Sequence, residues 1–437
     1  MKIPSASEAP FPIAAHPLPT RGVHLDFHTS GDIPDIGVQF SKEQWQAALR
    51  AGHLNTINIF AKGHHGWSYY PTQVGAMHPH LDFDLLGAQI EASHEIGVTC
   101  PIYYTVGWSV RDAELHPEWC ARRKDGTFQW HGNPDAEPDD PLPYGTWKLL
   151  CPSGEYHAHM MAQIEEICQR YPVDGFWFDI FNVHVGCWCD NCRASMAAKG
   201  IDMDDDEAVV AHFADVYRAH FADMRRLIAR YHPKATVFFN GTTALGRGNQ
   251  KLGMHLYNTH QDLEDLPTGW GGYDKLPLRA KLYLGAGYQV CAMSGKFHTS
   301  WGEFGGFKHP DALTYEAASM IAFGAACNFG DQLHPSGAMD METYRNIGAA
   351  FAYVEQIEAY GPGGQPVSHL GLWFTDNVPA DEGTARMLLE RQMDFRMATR
   401  DNLDTFQTVI LPSAPNLEDE DVAAIEQYLA GGGALVV

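Results

Sequence analysis

Apolar runs alternate with amphipathic stretches from residue 22 to about residue 330. This alternation is typical of repeated βα units, in which a buried parallel strand is followed by a helix. The predicted strands are Gly22–His28, Thr56–Lys62, Thr99–Val106, Val173–Asp179, Ala235–Asn240, Gly253–Thr259, Tyr288–Met293 and Ala325–Phe329. The predicted helices between them are Lys42–Ala51, Phe83–Ile96, Tyr156–Tyr171, Glu207–Tyr231, Tyr273–Gly285 and Pro310–Phe323.

Eight strands with interposed helices predict an α/β fold of the (β/α)8 barrel type, enlarged by insertions. A doubly wound sheet is the alternative that the same alternation allows. It is less favoured because no glycine-rich phosphate loop follows a predicted strand, whereas several strand ends carry His, Asp or Trp. The sequence therefore predicts a barrel.

The pattern restarts after the glycine-rich stretch at residues 361–364, which follows a predicted helix at Met341–Tyr360. The next segments predict strand, helix, strand, helix and strand in turn, at Ser368–Phe374, Ala385–Ala398, Phe406–Leu411, Glu418–Leu429 and Gly433–Val437. This order is typical of the first half of a flavodoxin-like domain. We therefore expect an N-terminal extension at residues 1–20, a barrel at 21–360 and an incomplete flavodoxin-like domain at 366–437.

The chain carries 30 Lys and Arg against 54 Asp and Glu in 437 residues, a formal net charge of −24. Nucleic acids and anionic membrane surfaces attract basic patches, so this balance argues against both as partners. No apolar run is long enough to span a membrane. Residues 1–20 lack the basic start and the apolar core of a signal peptide. The expected location is the cytoplasm, where thiols stay reduced.

The end of the fourth predicted strand carries the most informative candidate for chemistry. Barrel enzymes place their active sites at the carboxyl ends of the strands. Side chains alternate along a strand, so Trp177 and Asp179 share one face while Phe176 and Phe178 share the other. The two Phe suit the helix-covered exterior, which turns Asp179 inward. A buried carboxylate is costly, so catalysis is favoured over the alternative of a turn cap or an ion pair.

Other predicted strand ends supply imidazoles, phenol rings and an amide. His28 ends the first strand, and the paired His64 and His65 follow the second. The third strand carries two adjacent Tyr, and alternation does not decide which of them points inward. Asn240 ends the fifth strand. These side chains are candidates for ligand contact, and the alternative is that the imidazoles only cap surface loops.

A second carboxylate, Glu303, follows the seventh predicted strand and lies between Trp301 and Phe304. Glycosidases use one carboxylate at the anomeric carbon and another to protonate the departing oxygen. Aromatic rings can stack on a sugar, and His and Tyr can hydrogen-bond its hydroxyls. The residue types at the strand ends therefore favour a glycosidase, although Glu303 has the alternative of being an exposed loop residue.

Four cysteines are spaced like the ligands of a structural zinc ion. Cys187, Cys189 and Cys192 form a C-x-C-x2-C cluster after the fourth strand, and Cys151 precedes the helix before that strand. Four thiolates complete a tetrahedral site and leave no position open for catalysis. Cys120 is a reserve fourth ligand, and free buried thiols are the alternative. We expect a structural zinc ion and no organic cofactor.

The strand motifs resemble those of α-L-fucosidases of glycoside hydrolase families 29 and 151. Tyr171–Asp179 is similar to their DGxWFD strand, and Ala61–Trp67 is similar to their AKHHDGF segment. Pro101–Thr105 resembles their YYS strand, and Phe27-His28 resembles their IHWG segment. The second segment departs from the family, because Gly63 is inserted before the His pair and Gly66 replaces the Asp.

This resemblance implies a retaining exo-α-L-fucosidase in which Asp179 forms the glycosyl-enzyme. It implies that His28, His64, His65 and Tyr104 hold sugar hydroxyls, and we expect Trp177, Trp67 and Trp301 to pack on the ring and its methyl group. Glu303 is assigned as acid/base, and Ser109–Trp147 as a lid over the aglycone. The alternatives are a glycosidase for another sugar, such as a β-galactoside or another hexose or pentose, and an inactive carbohydrate-binding scaffold.

The cysteine spacing, with a barrel before a flavodoxin-like domain, is similar to family 151 and to the family 42 β-galactosidases. Members of family 42 carry a four-cysteine zinc site and a trimerisation domain, which implies a homo-oligomer such as a trimer. Their acid/base Asn-Glu pair follows the fourth strand, whereas this strand ends Asp179-Ile-Phe-Asn182 without a Glu. That departure argues against β-galactosidase chemistry.

Overall fold

A computed structural model describes residues 3–131, 147–181, 183–246, 248–270, 272–364 and 366–437. Its strands are β1 (Arg21–Asp26), β2 (Thr56–Lys62), β3 (Pro101–Thr105), β4 (Trp130–His131), β5 (Trp147–Lys148), β6 (Gly175–Asp179), β7 (Thr236–Phe239), β8 (Gln261–Leu263), β9 (Val290–Gly295), β10 (Ala326–Gln332), β11 (Leu370–Trp373), β12 (Arg396–Ala398), β13 (Thr408–Ile410) and β14 (Ala434–Val436). Its α-helices are α1 (Lys42–Ala51), α2 (Leu85–His94), α3 (Val110–Leu115), α4 (Gly154–Arg170), α5 (Asp190–Lys199), α6 (Asp206–Tyr231), α7 (Lys275–Gly285), α8 (Pro310–Ala322), α9 (Met341–Ile357), α10 (Val378–Glu390) and α11 (Asp419–Ala430).

Eight strands form one sheet in the order β7-β6-β3-β2-β1-β10-β9-β8. The sheet is a nearly closed barrel. Its strands pair in parallel from β2 through β3 and β6 to β7, and from β8 through β9 to β10. In the described part of the chain, at least one α-helix lies between each pair of successive barrel strands except β7 and β8, which have only a 3-10 turn between them. Such long crossovers are what parallel pairing of neighbouring strands needs. The predicted (β/α)8 fold is therefore confirmed.

The register of β3, β6 and β7 sets which side chains meet at the carboxyl ends of these strands. Tyr103 pairs with Trp177, and Thr105 pairs with Asp179. Residues that pair across parallel strands point to the same face, so these four side chains share the barrel interior. The other face carries Phe178, whose ring stacks on that of Phe239 with centroids 5.4 Å apart. The alternation read from the sequence is present in the structure.

The chain divides into two compact units. One contains residues 23–242 and 331–345, and the other contains 1–22, 243–330 and 346–437. This division does not test the predicted domain boundary near residue 360, which stays a prediction. Among the described residues, no helix is both long enough and apolar enough to cross a membrane.

A smaller parallel sheet near the end of the chain has the order β12-β11-β13-β14. The predicted helix at Ala385–Ala398 is wrong in its bounds, since α10 ends at Glu390 and β12 follows it. Gln392 has a φ of 56°, a left-handed conformation that breaks the helix. Phe395 and Met397 are then buried with Phe374 in an apolar cluster. The prediction placed the helix end too late because apolar residues keep a helix-like spacing through the turn at Gln392 and into β12.

The sixth barrel strand also differs from its prediction. Residues 254–257 form a 3-10 turn, and the strand β8 begins at Gln261 instead of within Gly253–Thr259. Gln261 is fully buried, its amide accepts a hydrogen bond from Asn258 at 2.8 Å, and it donates one to the His255 carbonyl at 3.0 Å. Hydrogen bonding thus allows a polar residue inside the barrel wall, and a search for apolar runs misses such a strand.

Candidate active site

Asp179 lies at the carboxyl end of β6 with a relative exposure of 7%. Its Oδ2 accepts a hydrogen bond from the Tyr103 hydroxyl at 2.5 Å. Its Oδ1 accepts from Asn240 Nδ2 at 2.9 Å and from the Ile180 backbone N–H at 2.8 Å. Burial raises the pKa of Asp179 above its ordinary value, and these three hydrogen bonds oppose that rise. The carboxylate is therefore both desolvated and held in one orientation.

The turn after Asp179 is strained. Ile180 has a φ of 69°, which is unusual for a β-branched residue. A Cβ at position 107 would collide with the Ile180 carbonyl, so only glycine fits there. The Asp179 carbonyl accepts the backbone N–H groups of Val106 at 2.9 Å and Gly107 at 3.3 Å. This anchored turn is what brings the Ile180 N–H to the Asp179 side chain.

The two adjacent tyrosines of β3 point in opposite directions. Tyr103 faces Asp179, whereas the Tyr104 hydroxyl donates to Gln163 Oε1 at 2.8 Å. The Lys62 ammonium lies 5.3 Å from the centroid of the Tyr104 ring. The structure therefore places Tyr103, and not the assigned Tyr104, beside the candidate nucleophile. The pairing of Tyr103 with Trp177 shows which tyrosine points inward, because residues that pair across parallel strands share a face. This pairing cannot be obtained from the sequence of one strand alone.

His28 has both ring nitrogens engaged within the protein. Its Nε2 lies 2.8 Å from Asp26 Oδ1, and its Nδ1 accepts the backbone N–H of His64 at 2.9 Å. The rings of His28 and His64 stack with centroids 3.7 Å apart and planes at 10°. A Cβ on Gly63 would lie 2.9 Å from the Phe27 carbonyl. The inserted glycine thus permits the close approach that lets His64 reach His28.

His64 lies between the carboxylate and β3. Its Nδ1 is 2.9 Å from Thr105 Oγ1, and its Nε2 is 3.4 Å from the Tyr103 hydroxyl and 3.7 Å from Asp179 Oδ2. Burial holds the pKa of His64 well below its ordinary value. Burial also lowers the pKa of His65 to about 4. Both imidazoles are therefore neutral at pH 7.

Aromatic rings surround this cluster. Trp177 stacks on Tyr103 with centroids 5.5 Å apart. Trp108 and Trp147 stack on each other at 5.6 Å, and both contact the edge of His64. Trp108 directly precedes the predicted lid, Ser109–Trp147, and Trp147 is its last residue. Residues 132–146 of that segment lie outside the described part of the chain. The sequence named Trp147 only as the end of that segment and not as a partner of His64, because no strand pattern leads to it.

Trp67 lies in the segment after β2 that also carries His64 and His65, and its indole contacts Arg111 and His78. The Arg111 guanidinium is 5.4 Å from the indole centroid, and the His78 ring is 6.0 Å from it. A Cβ on Gly31 would also press against this indole. Trp67 is thus packed among protein side chains, and its predicted contact with sugar stays a prediction.

Two further carboxylates lie in the other compact unit. Glu303 Oε2 accepts hydrogen bonds from Thr299 Oγ1 at 2.6 Å and from the backbone N–H groups of Thr299 at 2.8 Å and His298 at 3.1 Å. The bond from the Thr299 side chain is the first cause of a lowered pKa at Glu303. Trp301 instead donates its indole N–H to Glu264 at 2.8 Å. Glu264 directly follows β8, and sequence reasoning missed it because that strand was misplaced.

Cys151, Cys187, Cys189 and Cys192 are all buried, and their Sγ atoms lie within 4.8 Å of one another. The Sγ atoms of Cys151 and Cys192 are 3.7 Å apart. A tetrahedral site with Zn–S bonds of about 2.3 Å has S–S edges of about 3.8 Å, which matches this cluster. Cys120 is not part of it, since its Sγ contacts the Ala113 carbonyl at 3.8 Å. The donor set fits a tetrahedral metal ion.

Comparison with known proteins agrees with these motifs. The family described as "Hypothetical glycosyl hydrolase 6" matches residues 41–180. No curated protein sequence matches the chain. The structure of α-L-fucosidase isoenzyme 2 from Paenibacillus thiaminolyticus is similar with a TM-score of 0.88 and 38% identity, over 96% of this chain and 64% of that one. This chain thus spans just under two thirds of that protein.

A second solved structure, the β-galactosidase from the psychrophilic Marinomonas ef1, is similar with a TM-score of 0.61 and 13% identity. The match covers 95% of this chain and 74% of that one. At this identity the likeness concerns the fold alone. The resemblance of the sequence to α-L-fucosidases is confirmed by the first comparison.

Proposed function

We propose that the protein is a retaining, exo-acting glycoside hydrolase that releases α-L-fucose from glycosides or oligosaccharides. The observation that carries the proposal is the buried Asp179 carboxylate at a barrel strand end, held by Tyr103, Asn240 and a backbone N–H. The similarity to the Paenibacillus α-L-fucosidase supports the choice of sugar. A β-galactosidase is not favoured, since only the fold is shared with that class.

In the proposed mechanism, an Asp179 oxygen attacks the anomeric carbon while the bond from that carbon to the glycosidic oxygen breaks. A second carboxylic acid protonates the departing oxygen, and its carboxylate later removes a proton from the attacking water. Asp179 leaves in that second step as a carboxylate. Tyr103 and Asn240 hydrogen-bond to it and stabilise the returning charge.

The neutral His64 and His65 are proposed to contact sugar hydroxyls, with Trp177 packing on the ring. His28 takes a different role from the one that the resemblance implies. Because both of its nitrogens are engaged, it orients His64 and does not bind the sugar. Trp67 and Trp301 are kept as proposed apolar contacts.

A panel of aryl glycosides tests the proposed activity. We expect hydrolysis of 4-nitrophenyl α-L-fucoside and at most about 1% of that rate on the β-galactoside, α-arabinoside and β-xyloside. Proton NMR at early times should show the α-anomer of fucose as the first product, as double displacement requires. Cleavage of a different glycoside, or calorimetric sugar binding without hydrolysis of any member, would replace this proposal with the corresponding alternative.

Tyr103 and Tyr104 form a matched pair for a mutational test. Tyr103→Phe removes a hydrogen bond to Asp179 and should lower kcat about 10- to 100-fold. It should also move the acidic limb of the kcat/KM profile to higher pH, because that bond lowers the pKa of Asp179. Tyr104→Phe removes only the bond to Gln163 and should leave the pH profile unchanged. Equal pH profiles for the two variants would contradict the role of Tyr103.

The four-cysteine cluster is proposed to hold one structural zinc ion, which would pin the loop after β6 to the start of α4. Elemental analysis should find one zinc per chain. Cys189→Ser should lose most of that zinc and lower Tm by several degrees, since metal binding contributes folding free energy. Cys120→Ser is the control and should keep the metal. Purified protein that contains no zinc would remove this assignment.

We also infer a homo-oligomer, a cytoplasmic location, and no nucleic-acid or membrane partner. The likeness of the cysteine spacing to trimeric β-galactosidases supports the first, and the net charge of −24 supports the last. No organic cofactor is proposed, because the mechanism needs only carboxyl groups and water.

A further inference from the structure

The hydroxyl of Thr105 has one hydrogen, and the structure shows where it goes. Thr105 Oγ1 donates to the Trp108 carbonyl at 2.8 Å, and a carbonyl oxygen can only accept. The same Oγ1 lies 2.9 Å from His64 Nδ1. Because its hydrogen is already committed, Oγ1 must accept in that second bond. The hydrogen between Thr105 and His64 therefore belongs to the Nδ1 of the imidazole.

A neutral imidazole carries one ring hydrogen, so a hydrogen on Nδ1 leaves a lone pair on Nε2. That lone pair faces the Tyr103 hydroxyl at 3.4 Å and Asp179 Oδ2 at 3.7 Å. The Tyr103 hydrogen is donated to Asp179. Around an ionised Asp179, three lone-pair-bearing atoms thus converge, and none of these described groups directs a hydrogen to His64 Nε2. A ligand hydroxyl is the group that would supply one.

The position of the ring hydrogen of the neighbouring His28 follows from the same reasoning, but here the hydrogen lies on Nε2. Its Nδ1 accepts the His64 backbone N–H, so its ring hydrogen lies on Nε2 and is donated to Asp26. The ring stacks at 3.7 Å on that of His64 and limits its rotation. His28 therefore orients the imidazole plane, and Thr105 selects which nitrogen of His64 carries the hydrogen.

We propose that Thr105 is a specificity-determining residue: by holding the His64 hydrogen on Nδ1, it makes Nε2 an obligate acceptor for one hydroxyl of the bound sugar. The site then requires a ligand that donates at that position. It rejects sugars that carry fluorine, an ether or a carbonyl there, even where the shape is unchanged. The inference deepens the proposed fucosidase function and rests on it for the identity of the ligand.

The tautomer can be read without any activity. In protein labelled with 15N-histidine, the protonated and unprotonated ring nitrogens have well-separated shifts, and His64→Gln assigns the His64 signals by their loss. We expect the wild type and Thr105→Ser to show an unprotonated Nε2. Thr105→Val has the same shape but no acceptor, so it should shift the population toward a protonated Nε2. A protonated Nε2 in the wild type would overturn the proposal.

Recognition is tested with 3- and 4-deoxy and deoxyfluoro analogues of 4-nitrophenyl α-L-fucoside. At the hydroxyl that meets His64, the wild type and Thr105→Ser should reject the fluoro analogue as strongly as the deoxy analogue, by about 10- to 100-fold in kcat/KM. Thr105→Val should accept the fluoro analogue better than the deoxy one, because a protonated Nε2 can donate to fluorine. Thr314→Val, on α8, is the control for loss of a threonine hydroxyl.

The two experiments separate the inference from the function on which it rests. Absence of fucoside hydrolysis would refute the fucosidase proposal, while an Nε2 that is unprotonated in the wild type and protonated in Thr105→Val would still support the role of Thr105. Hydrolysis in which every fluoro analogue outperforms its deoxy counterpart would refute the role of Thr105 and leave the fucosidase standing.

Discussion

Asp179→Asn is expected to lower kcat by about four orders of magnitude or more, because removal of a nucleophile abolishes the covalent step. The amide can still accept hydrogen bonds from Ile180 and Asn240 through its oxygen. The fold should therefore survive, with Tm within a few degrees of the wild type. The measurement is kcat on 4-nitrophenyl α-L-fucoside, accompanied by circular dichroism and thermal unfolding.

A matched control lies at the other end of the same strand. Asp174 accepts hydrogen bonds from the Cys100 backbone N–H at 2.7 Å and from His94 at 2.7 Å. Asp174→Asn changes the same chemical group at the amino end of the strand, where barrel enzymes do not place catalysis. It should keep activity within about fivefold of the wild type. A loss as large as that of Asp179→Asn would indicate a structural cause for both.

Azide identifies the missing nucleophile directly. In Asp179→Ala, azide can enter the space of the carboxylate and form a C–N bond to the anomeric carbon as the 4-nitrophenolate departs. A single displacement inverts that carbon, so the product should be β-L-fucosyl azide. Formation of the α-azide, or no rescue at any azide concentration, would count against Asp179 as the nucleophile.

The sequence predicts the barrel well, because its strands are separated by long amphipathic helices such as α1 and α6. Its failures have a shared physical cause. At β8, the buried Gln261 is stabilised by hydrogen bonds instead of apolar contact. At β12, an apolar spacing continued through a left-handed turn at Gln392. Periodicity detects apolar burial, and it does not detect satisfied polar groups or single backbone turns.

The candidate site shows the same division. Asp179 and the four cysteines could be found from the sequence, because strand parity and ligand spacing are local properties. Tyr103 and Thr105 could not be selected, since their roles depend on the register between β3 and β6. The committed nitrogens of His28 depend on a backbone N–H supplied by another strand end. Such contacts are set by tertiary structure.

Replacement of the acid/base residue is expected to have the second large effect. Its two candidates, Glu264 and Glu303, can be distinguished by how the activity of their variants depends on the leaving group. A general acid must be protonated before catalysis, which calls for a raised pKa. Three hydrogen bonds hold Glu303 ionised, whereas Glu264 directly follows a barrel strand, where catalytic residues are placed. We therefore expect Glu264→Gln to lower kcat/KM about 100- to 10,000-fold for the poor leaving group 4-methylphenol.

The kcat/KM of Glu264→Gln should fall less than about tenfold on 2,4-dinitrophenyl α-L-fucoside, whose leaving group needs no proton. Glu303→Gln is the matched variant and should respond to both substrates alike. Azide should rescue the Glu264 variant with the α-configuration retained, because it intercepts the Asp179-bound intermediate in place of water. If Glu303→Gln instead shows the dependence on leaving group and the α-azide, the assignment made from the sequence is the correct one, and Glu264 only orients Trp301.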